Sequence, residues 1–585
     1  MIKRVASGDP ALLSRVSNFM ESSMSKSLKT LLCASAITAC SAFAADIPDA
    51  GRMIRESTAP PSLEPQKEAP TFHAPERSKE NAASGALIKV TGFTFAGNTL
   101  FSSDELSHLM SGCIGKEMTF AGLNEASAAI TNAYRKKGYL LASPIFPPQT
   151  VKPGDPLLIE IIEGVLENIH VATIPVKTRI QRSLLERYAN QVPLEHPLEE
   201  RSLASVVMRV NDLPNISSRI LLEPGSRPGT TNATLEVNEG RPYSFSLDLD
   251  NFGNHATGDN HAGATMELYS PLHLGDQFTL RLQASTTGDL RNIQAGYSIP
   301  VTLSGTRIGV NYSYVSYQLG GLFEPLNANG NGQNLTLAIT QPLIRQRELI
   351  VNAIVAGESN RLDDRLESIP LRNRRHSLSW QAGLAAAQKE RVPGGSSTSL
   401  SLGFVCGRLN IDDSDALSID QLPIGLHTNG GYSKITMALG RIQRISQSFS
   451  LYAGAYGQWS DKNLGSSEQL SLGGPSAVRA WQRGESYADK GVVATTELRY
   501  QASSLGELPG TLQFSAFVDH GHALLHAKPV ADGETNTRNL TGAGFGVKWF
   551  NVSNYSLQAT CAWKIAGESN PTDTPMIFVQ GVKRF

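Results

Sequence analysis

Tyr243-Ser244-Phe245-Ser246-Leu247-Asp248-Leu249-Asp250 is the stretch that decides how this chain reads. Tyr243, Phe245, Leu247 and Leu249 alternate with small or acidic residues, the period of a strand with one apolar and one polar face. The pattern returns in Phe278, Leu280, Leu282 and Ala284, set against Thr279, Arg281 and Gln283. It returns again in Ile308, Val310, Tyr312 and Tyr314, and in Leu512, Phe514, Ala516 and Val518. One such segment suits a soluble sandwich equally well. About 346 residues of them, from Gly240 to a terminal Phe585, suit a membrane barrel with an apolar outer face and a polar lumen. At ~20 residues per strand and connection, roughly sixteen strands are predicted, an even number as bacterial barrels prefer. The predicted fold is mostly β.

Alternation also accounts for the composition. Hydrophobic residues make up 40% of the chain and mean hydropathy is −0.18, because a barrel hides its lipid face among polar residues. Lys+Arg (52) and Asp+Glu (53) nearly cancel, so no charge excess points to nucleic acid. No later stretch is long and apolar enough to span a bilayer as a helix.

Export is read from the N-terminus. From Met24, Lys26 and Lys29 precede the apolar run Leu31 to Ala39, which ends in Ala42-Phe43-Ala44. That is a secretory signal over 1–44 with mature residues from Ala45, and residues 1–23 read as an over-called upstream start. Ile37-Thr38-Ala39-Cys40 resembles a lipoprotein box, but the A-x-A site follows at once. Two of the five cysteines fall inside the signal. Cys113, Cys406 and Cys561 are too widely spaced for a disulfide framework or a Cys-rich metal site.

Between signal and barrel, residues 45–85 hold a short candidate helix (49–56) and a Pro-rich linker. Two modules follow, 86–164 and 165–239. The first ends Ile159-Glu160-Ile161-Ile162-Glu163-Gly164 and the second Leu235-Glu236-Val237-Asn238-Glu239-Gly240, each after a Pro-Gly turn. Leu123, Ile130, Ala133 and Tyr134 share one helical face, as do Leu203, Val206, Val207 and Val210. Each module therefore reads β-α-α-β-β, with strand edges able to accept an extended segment.

No G-x-S-x-G elbow, H-E-x-x-H or P-loop is present, so neither enzyme activity nor a cofactor is predicted. His520, His522 and His526 lie beside Asp519, where the strand is expected to run into its loop. They read as loop histidines rather than a metal site.

The unusual element is the long connection 459–490, with Gly473-Gly474-Pro475-Ser476-Ala477-Val478-Arg479-Ala480-Trp481 inside it. Val478 and Trp481 are too apolar for a solvated loop, so the segment is expected to fold back into the barrel. In the strand Leu512–Val518, Gln513, Ser515, Phe517 and Asp519 share the face opposite the apolar one. Asp519 thus points inward, as do Glu497 and Arg499 on the strand before it. Arg479 then either grips Asp519 bidentately or stays at the surface against lipopolysaccharide or water; residue chemistry alone leaves both open.

Taken together, the chain resembles the two-partner secretion transporters, the TpsB (ShlB/FhaC/HecB-like) group of the BamA-like superfamily. Phe95-Ala96-Gly97-Asn98-Thr99-Leu100, Gly138-Tyr139 and Phe146-Pro147-Pro148-Gln149 resemble the family's first POTRA domain. Asp250-Asn251-Phe252-Gly253 with Thr257-Gly258 resembles its first barrel strand and loop. Val478-Arg479-Ala480-Trp481 resembles its inward loop motif, and Phe517-Val518-Asp519-His520-Gly521 the wall motif that holds it. Ala480 stands where the superfamily usually has Gly.

The resemblance implies a sixteen-stranded transmembrane barrel, two POTRA domains and an N-terminal helix that plugs the pore. It favours the Arg479–Asp519 pairing and marks Val478, Arg479, Trp481, Phe517, Asp519 and Gly521 as gating residues. It implies an outer-membrane monomer among lipid and lipopolysaccharide. The partner is the N-terminal secretion domain of a secreted haemolysin- or adhesin-type exoprotein, which docks somewhere within 86–239. An assembly factor of the same superfamily and a passive porin are the alternatives.

Overall fold

The computed structural model describes residues 47–57 and 87–585, other than 153, 370, 391, 393, 503–508, 531–534, 552 and 568–574. The expected signal segment and the Pro-rich linker lie outside the described residues. Sixteen strands, from Tyr243–Asp250 to Met576–Arg584, pair antiparallel with their neighbours. The last closes on the first, with Gln580 opposite Asp250 and Arg584 opposite Ser246. Closure satisfies the backbone groups that an open sheet edge would expose to lipid. Phe585 N–H donates to the Phe245 carbonyl (2.9 Å), and the two rings lie 5.9 Å apart at the seam.

Residue parity separates the two faces. Leu247 and Leu249 are exposed on the outside, while Asp248 and Asp250 are buried in the lumen. Leu335, Leu337 and Ile339, and likewise Ile435, Met437 and Leu439, form exposed outward rows, with Asn334 and Lys434 buried on the other side. Such rows are stable only against hydrocarbon.

Both modules precede the barrel; the second has the expected β-α-α-β-β order, and the first adds to it a two-residue pair, Ile88–Lys89 with Glu117–Met118, the latter lying between its two helices. In the first, Phe93–Ala96 pairs parallel with Leu157–Ile162, which also holds Ser143–Ile145. Helices Ser103–Leu109 and Phe120–Lys136 cover the sheet, burying Leu106, Leu123, Ile130 and Tyr134. In the second, Val165–Ile174 pairs parallel with Thr230–Glu239, which pairs antiparallel with Ile216–Pro224. Leu203, Val206, Val207 and Val210 of the helix Glu200–Asn211 are buried there. This module is fastened to the near end of the barrel. Gln181 N–H donates to the His273 carbonyl (3.0 Å), and Arg345 pairs with Asp212 (2.9 Å).

Three expected boundaries shift. The N-terminal helix is Ala50–Ser57, one residue later than expected, because Asp49 caps it by accepting from Arg52 N–H (3.0 Å). The long connection is 461–489 rather than 459–490, since ladder pairing carries the flanking strands through Ser460 and from Lys490. His520 and His522 are not at a strand-to-loop junction. The strand runs on to Leu524 through pairs with Lys490 and Thr537, so both histidines lie within it, on the outward face. They bond across to Thr541 and Asn539.

Candidate functional site

The connection 461–489 turns into the barrel. Leu470 and Ser471 pair with Ala488 and Tyr487 as a two-rung ribbon, which carries the tip inward. Gly474 makes the reversal at φ +114°, a conformation side chains resist, and its N–H donates to the Trp481 carbonyl (2.9 Å). Val478 N–H donates to the Leu472 carbonyl (3.0 Å), and Trp481 N–H to that of Val478 (3.1 Å). The tip is thus a compact knot that presents Val478, Arg479 and Trp481 to the wall.

The wall is cut to receive it. Val478, Ala480 and Trp481 are buried with Leu472, Val493, Phe517 and Leu540 in one cluster. A Cβ on Gly521 would sit 3.1 Å from Leu472 and Val478, and one on Gly542 only 2.4 Å from the Ala480 methyl. Gly542 therefore makes the room that the methyl of Ala480 needs. Burial of Val478 and Trp481 contributes roughly 2–3 kcal/mol apiece. For Trp481 the gain is reduced by a buried indole N–H that finds no acceptor among the described residues.

Arg479 lies between these contacts. Its Nε and Nη2 donate to the two oxygens of Asp519, each at 2.8 Å, and its backbone N–H donates to Oδ2 (3.1 Å). Nη2 also reaches Thr495 Oγ1 (3.0 Å), Nη1 reaches Glu497 (3.1 Å), and the guanidinium lies 3.3 Å over the Phe517 ring. Asp519 is fully buried and accepts further from Thr495 (2.6 Å); Glu497 is shared with Arg499 (3.1 Å). Two cations thus meet two carboxylates, the balance a confined site needs. The structure brings Val478, Arg479, Trp481, Phe517, Asp519 and Gly521 together at one place. Strand parity turns Glu497 inward without marking it as a partner of Arg479, and nothing in the residue pattern singles out Thr495. The cross-strand register, Thr495 opposite Asp519 and Glu497 opposite Phe517, places both beside the guanidinium.

The N-terminal helix occupies the same lumen. Ala50, Arg52, Met53 and Ile54 are buried within the barrel. Asp49 pairs with Arg375 (2.9 Å), which also holds Asp364 (2.5 Å); Ala50 N–H donates to Asp364 (2.8 Å). The other end of the helix meets the inward loop: Glu56 accepts from the Tyr487 hydroxyl, its carbonyl accepts from Arg483 (3.4 Å), and Arg52 lies over the Tyr487 ring (4.3 Å). A further buried pair, Lys434–Glu468 (2.7 Å), ties the loop to the wall. Beside helix and loop remains a cavity of about 450 Å³ lined by Arg55, Glu358, Lys434 and Glu468.

A closed sixteen-stranded barrel with an inward loop, behind two small modules, sets the context for comparison. The family of haemolysin secretion/activation proteins ShlB/FhaC/HecB matches residues 229–549, and the ShlB-type POTRA domain matches residues 88–164. The chain belongs to the ShlB/FhaC/HecB family. Members similar to it include the heme/hemopexin transporter protein HuxB of Haemophilus influenzae, 25% identical over 93% of this chain and 96% of that one. The outer membrane transporter CdiB of Dickeya dadantii is 25% identical over 83% of this chain and 84% of its own. CdiB from Escherichia coli has a solved structure of the same fold (TM-score 0.65, 22% identity, 91% of this chain and 95% of that one). This ShlB/FhaC/HecB member is an outer-membrane two-partner secretion transporter, with its POTRA domains in the periplasm. The POTRA end of the barrel is therefore periplasmic, and the opposite end extracellular.

Proposed function

We propose that this transporter exports one large exoprotein of the haemolysin or adhesin type, and that the helix 50–57 holds the pore shut between transport events. The observation that carries this is the seating of that helix. It lies inside the lumen, held to the wall through Asp49–Arg375 and to the inward loop through Glu56–Tyr487. The exoprotein's N-terminal domain docks within 86–239 by strand addition and surface contact. Its chain displaces the helix, passes the lumen extended and folds outside, where folding supplies the driving force. Val478, Arg479, Trp481, Phe517, Asp519 and Gly521 hold the loop against the wall as cargo passes. The barrel closes within one chain, which supports a monomer. The relatives' names span heme/hemopexin and hemolysin transport.

The test is a pull-down from periplasmic extract of the native organism, with residues 86–239 as bait. Enrichment of a single large, β-rich secreted protein through its N-terminal region is expected. Recovery of many different barrel precursors supports an assembly factor instead, and recovery of no protein supports a plain channel.

A further inference from the structure

The strands Ala328–Arg345, Leu349–Leu366, Leu371–Glu390 and Ser396–Ile411 are long, at 18, 18, 20 and 16 residues, and carry a polar row on their outer face near the extracellular end. Register aligns Gln333, Arg361, His376 and Asn410 across all four. One step toward the membrane lie Leu335, Ser359, Leu378 and Arg408, and one step further Leu337 and Trp380. Leu335, Leu337, Leu378 and Trp380 are exposed members of the outer apolar belt. The alternate residues Asn360, Leu362, Arg375 and Ser377 are buried on the lumen side, so this row is separate from the plug and the inward loop.

Most charges here are already matched. Asp363 holds both Arg365 (3.0 Å) and Arg372 (2.6 Å), Asp413 holds Arg374 (2.8 Å), and His376 meets Asp412 (2.9 Å). Arg361 and Arg408 are different: both are exposed, and neither guanidinium has a hydrogen-bond or ion-pair partner among the described residues. An open hollow of about 550 Å³ is lined by Gln333, Arg361, Arg374 and His376 together with the carboxylates Asp363 and Asp412, which the neighbours just named already hold; Arg408 lies outside this lining. A guanidinium at the edge of hydrocarbon is costly without an anion, and its planar fork fits phosphate. Arg361 and Arg408 lie on strands two apart, a lateral separation of about 10 Å. That matches a disaccharide bearing a phosphate at each end better than a single phospholipid headgroup.

We propose that this outward face binds the phosphorylated sugar headgroup of lipopolysaccharide, with Arg361 and Arg408 each taking a phosphate and the leucine–tryptophan belt below taking acyl chains. The proposal rests on the outer-membrane location, which fractionation of wild-type cells tests separately. The test is titration of the purified full-length protein in detergent, followed by native mass spectrometry. The probes are diphosphorylated lipid A, dephosphorylated lipid A and phosphatidylglycerol. Wild type is expected to bind the diphosphorylated form at one site, about tenfold or more tighter than the other two probes. R361Q/R408Q should lose about tenfold, and R361K/R408K should lose less, because the charge remains while the planar fork is gone. A gel-mobility shift on heating reports that each barrel is folded. If R361Q/R408Q does not fold, R408Q alone carries the comparison. Unchanged lipid A affinity in the folded Gln variant overturns the proposal, as does equal binding of phosphatidylglycerol.

Discussion

Arg479→Ala is the perturbation whose size the structure fixes most closely. It removes two 2.8 Å bonds to Asp519 and one of 3.1 Å to Glu497, while leaving both carboxylates in a confined lumen. Removing one partner of a buried pair costs about 3–5 kcal/mol. The lower end applies here, because Asp519 keeps its bond from Thr495 and Glu497 keeps Arg499. A loss of about 3 kcal/mol lowers the docked-to-undocked ratio of the loop roughly a hundredfold. Burial of Val478 and Trp481 still favours docking, so the loop opens often without staying out. Amide hydrogen exchange over 473–482, read by mass spectrometry on the purified protein, should show protection falling by about two decades. Protection in the strands should hold. Asp519→Ala on top of Arg479→Ala should cost less than the sum of the single changes, because the double variant leaves Glu497 and Arg499 matched. Unchanged protection in a folded Arg479→Ala barrel refutes the lock. Lost protection with normal secretion leaves the geometry standing and removes its functional role.

Arg375→Ala leaves Asp49 and Asp364 facing each other without their shared cation, so the N-terminal helix should be released by about 3–5 kcal/mol. Planar-bilayer recordings should show the channel open far more of the time than wild type; unchanged closure means that other contacts hold the helix. In the first POTRA domain, Glu163 is buried, which alone would raise its pKa. The Thr99 hydroxyl, the Leu100 (2.9 Å) and Thr99 (2.7 Å) backbone N–H groups and the Tyr134 hydroxyl (2.8 Å) all donate to it and hold it below the usual carboxylate value. A depressed folded-state pKa adds stability that is complete above the unfolded value, near 4.5, and is lost as pH falls through the folded value. Glu163→Gln should therefore cost about 1–3 kcal/mol near neutral pH and flatten the acid limb of the POTRA melting curve followed by circular dichroism. An equally steep acid limb in the variant assigns that limb to other carboxylates.

Much of this architecture was legible in residue order, because a barrel needs only local alternation repeated many times. The parity that makes Leu247 and Leu249 apolar is the same parity that turns Asp248 inward, and it places Asp519, Glu497 and Arg499 on the lumen side. The module repeats were legible for a similar reason, since Leu203, Val206, Val207 and Val210 sit within one helix. Apolarity marked Val478 and Trp481 as residues that needed a wall.

Three-dimensional structure decided what depends on distant segments meeting. Whether Arg479 met the wall or the solvent was open from residue types alone; closure of the barrel and the glycines at 521 and 542 left the space that lets it dock. Its contacts to Thr495 and Glu497 follow from the register between two neighbouring strands, and a slip of one residue would reverse which side chains face in. The plug is the extreme case. Asp49 and Arg375 are 326 residues apart, and no periodicity links a short helix ahead of a Pro-rich stretch to a strand in mid-barrel. His520 and His522 lie within the strand rather than at its junction with the loop because strand ends are set by how far the neighbouring strands pair, not by the composition of the strand itself. Local pattern determined which way each side chain points; only the closed barrel determined what it meets there.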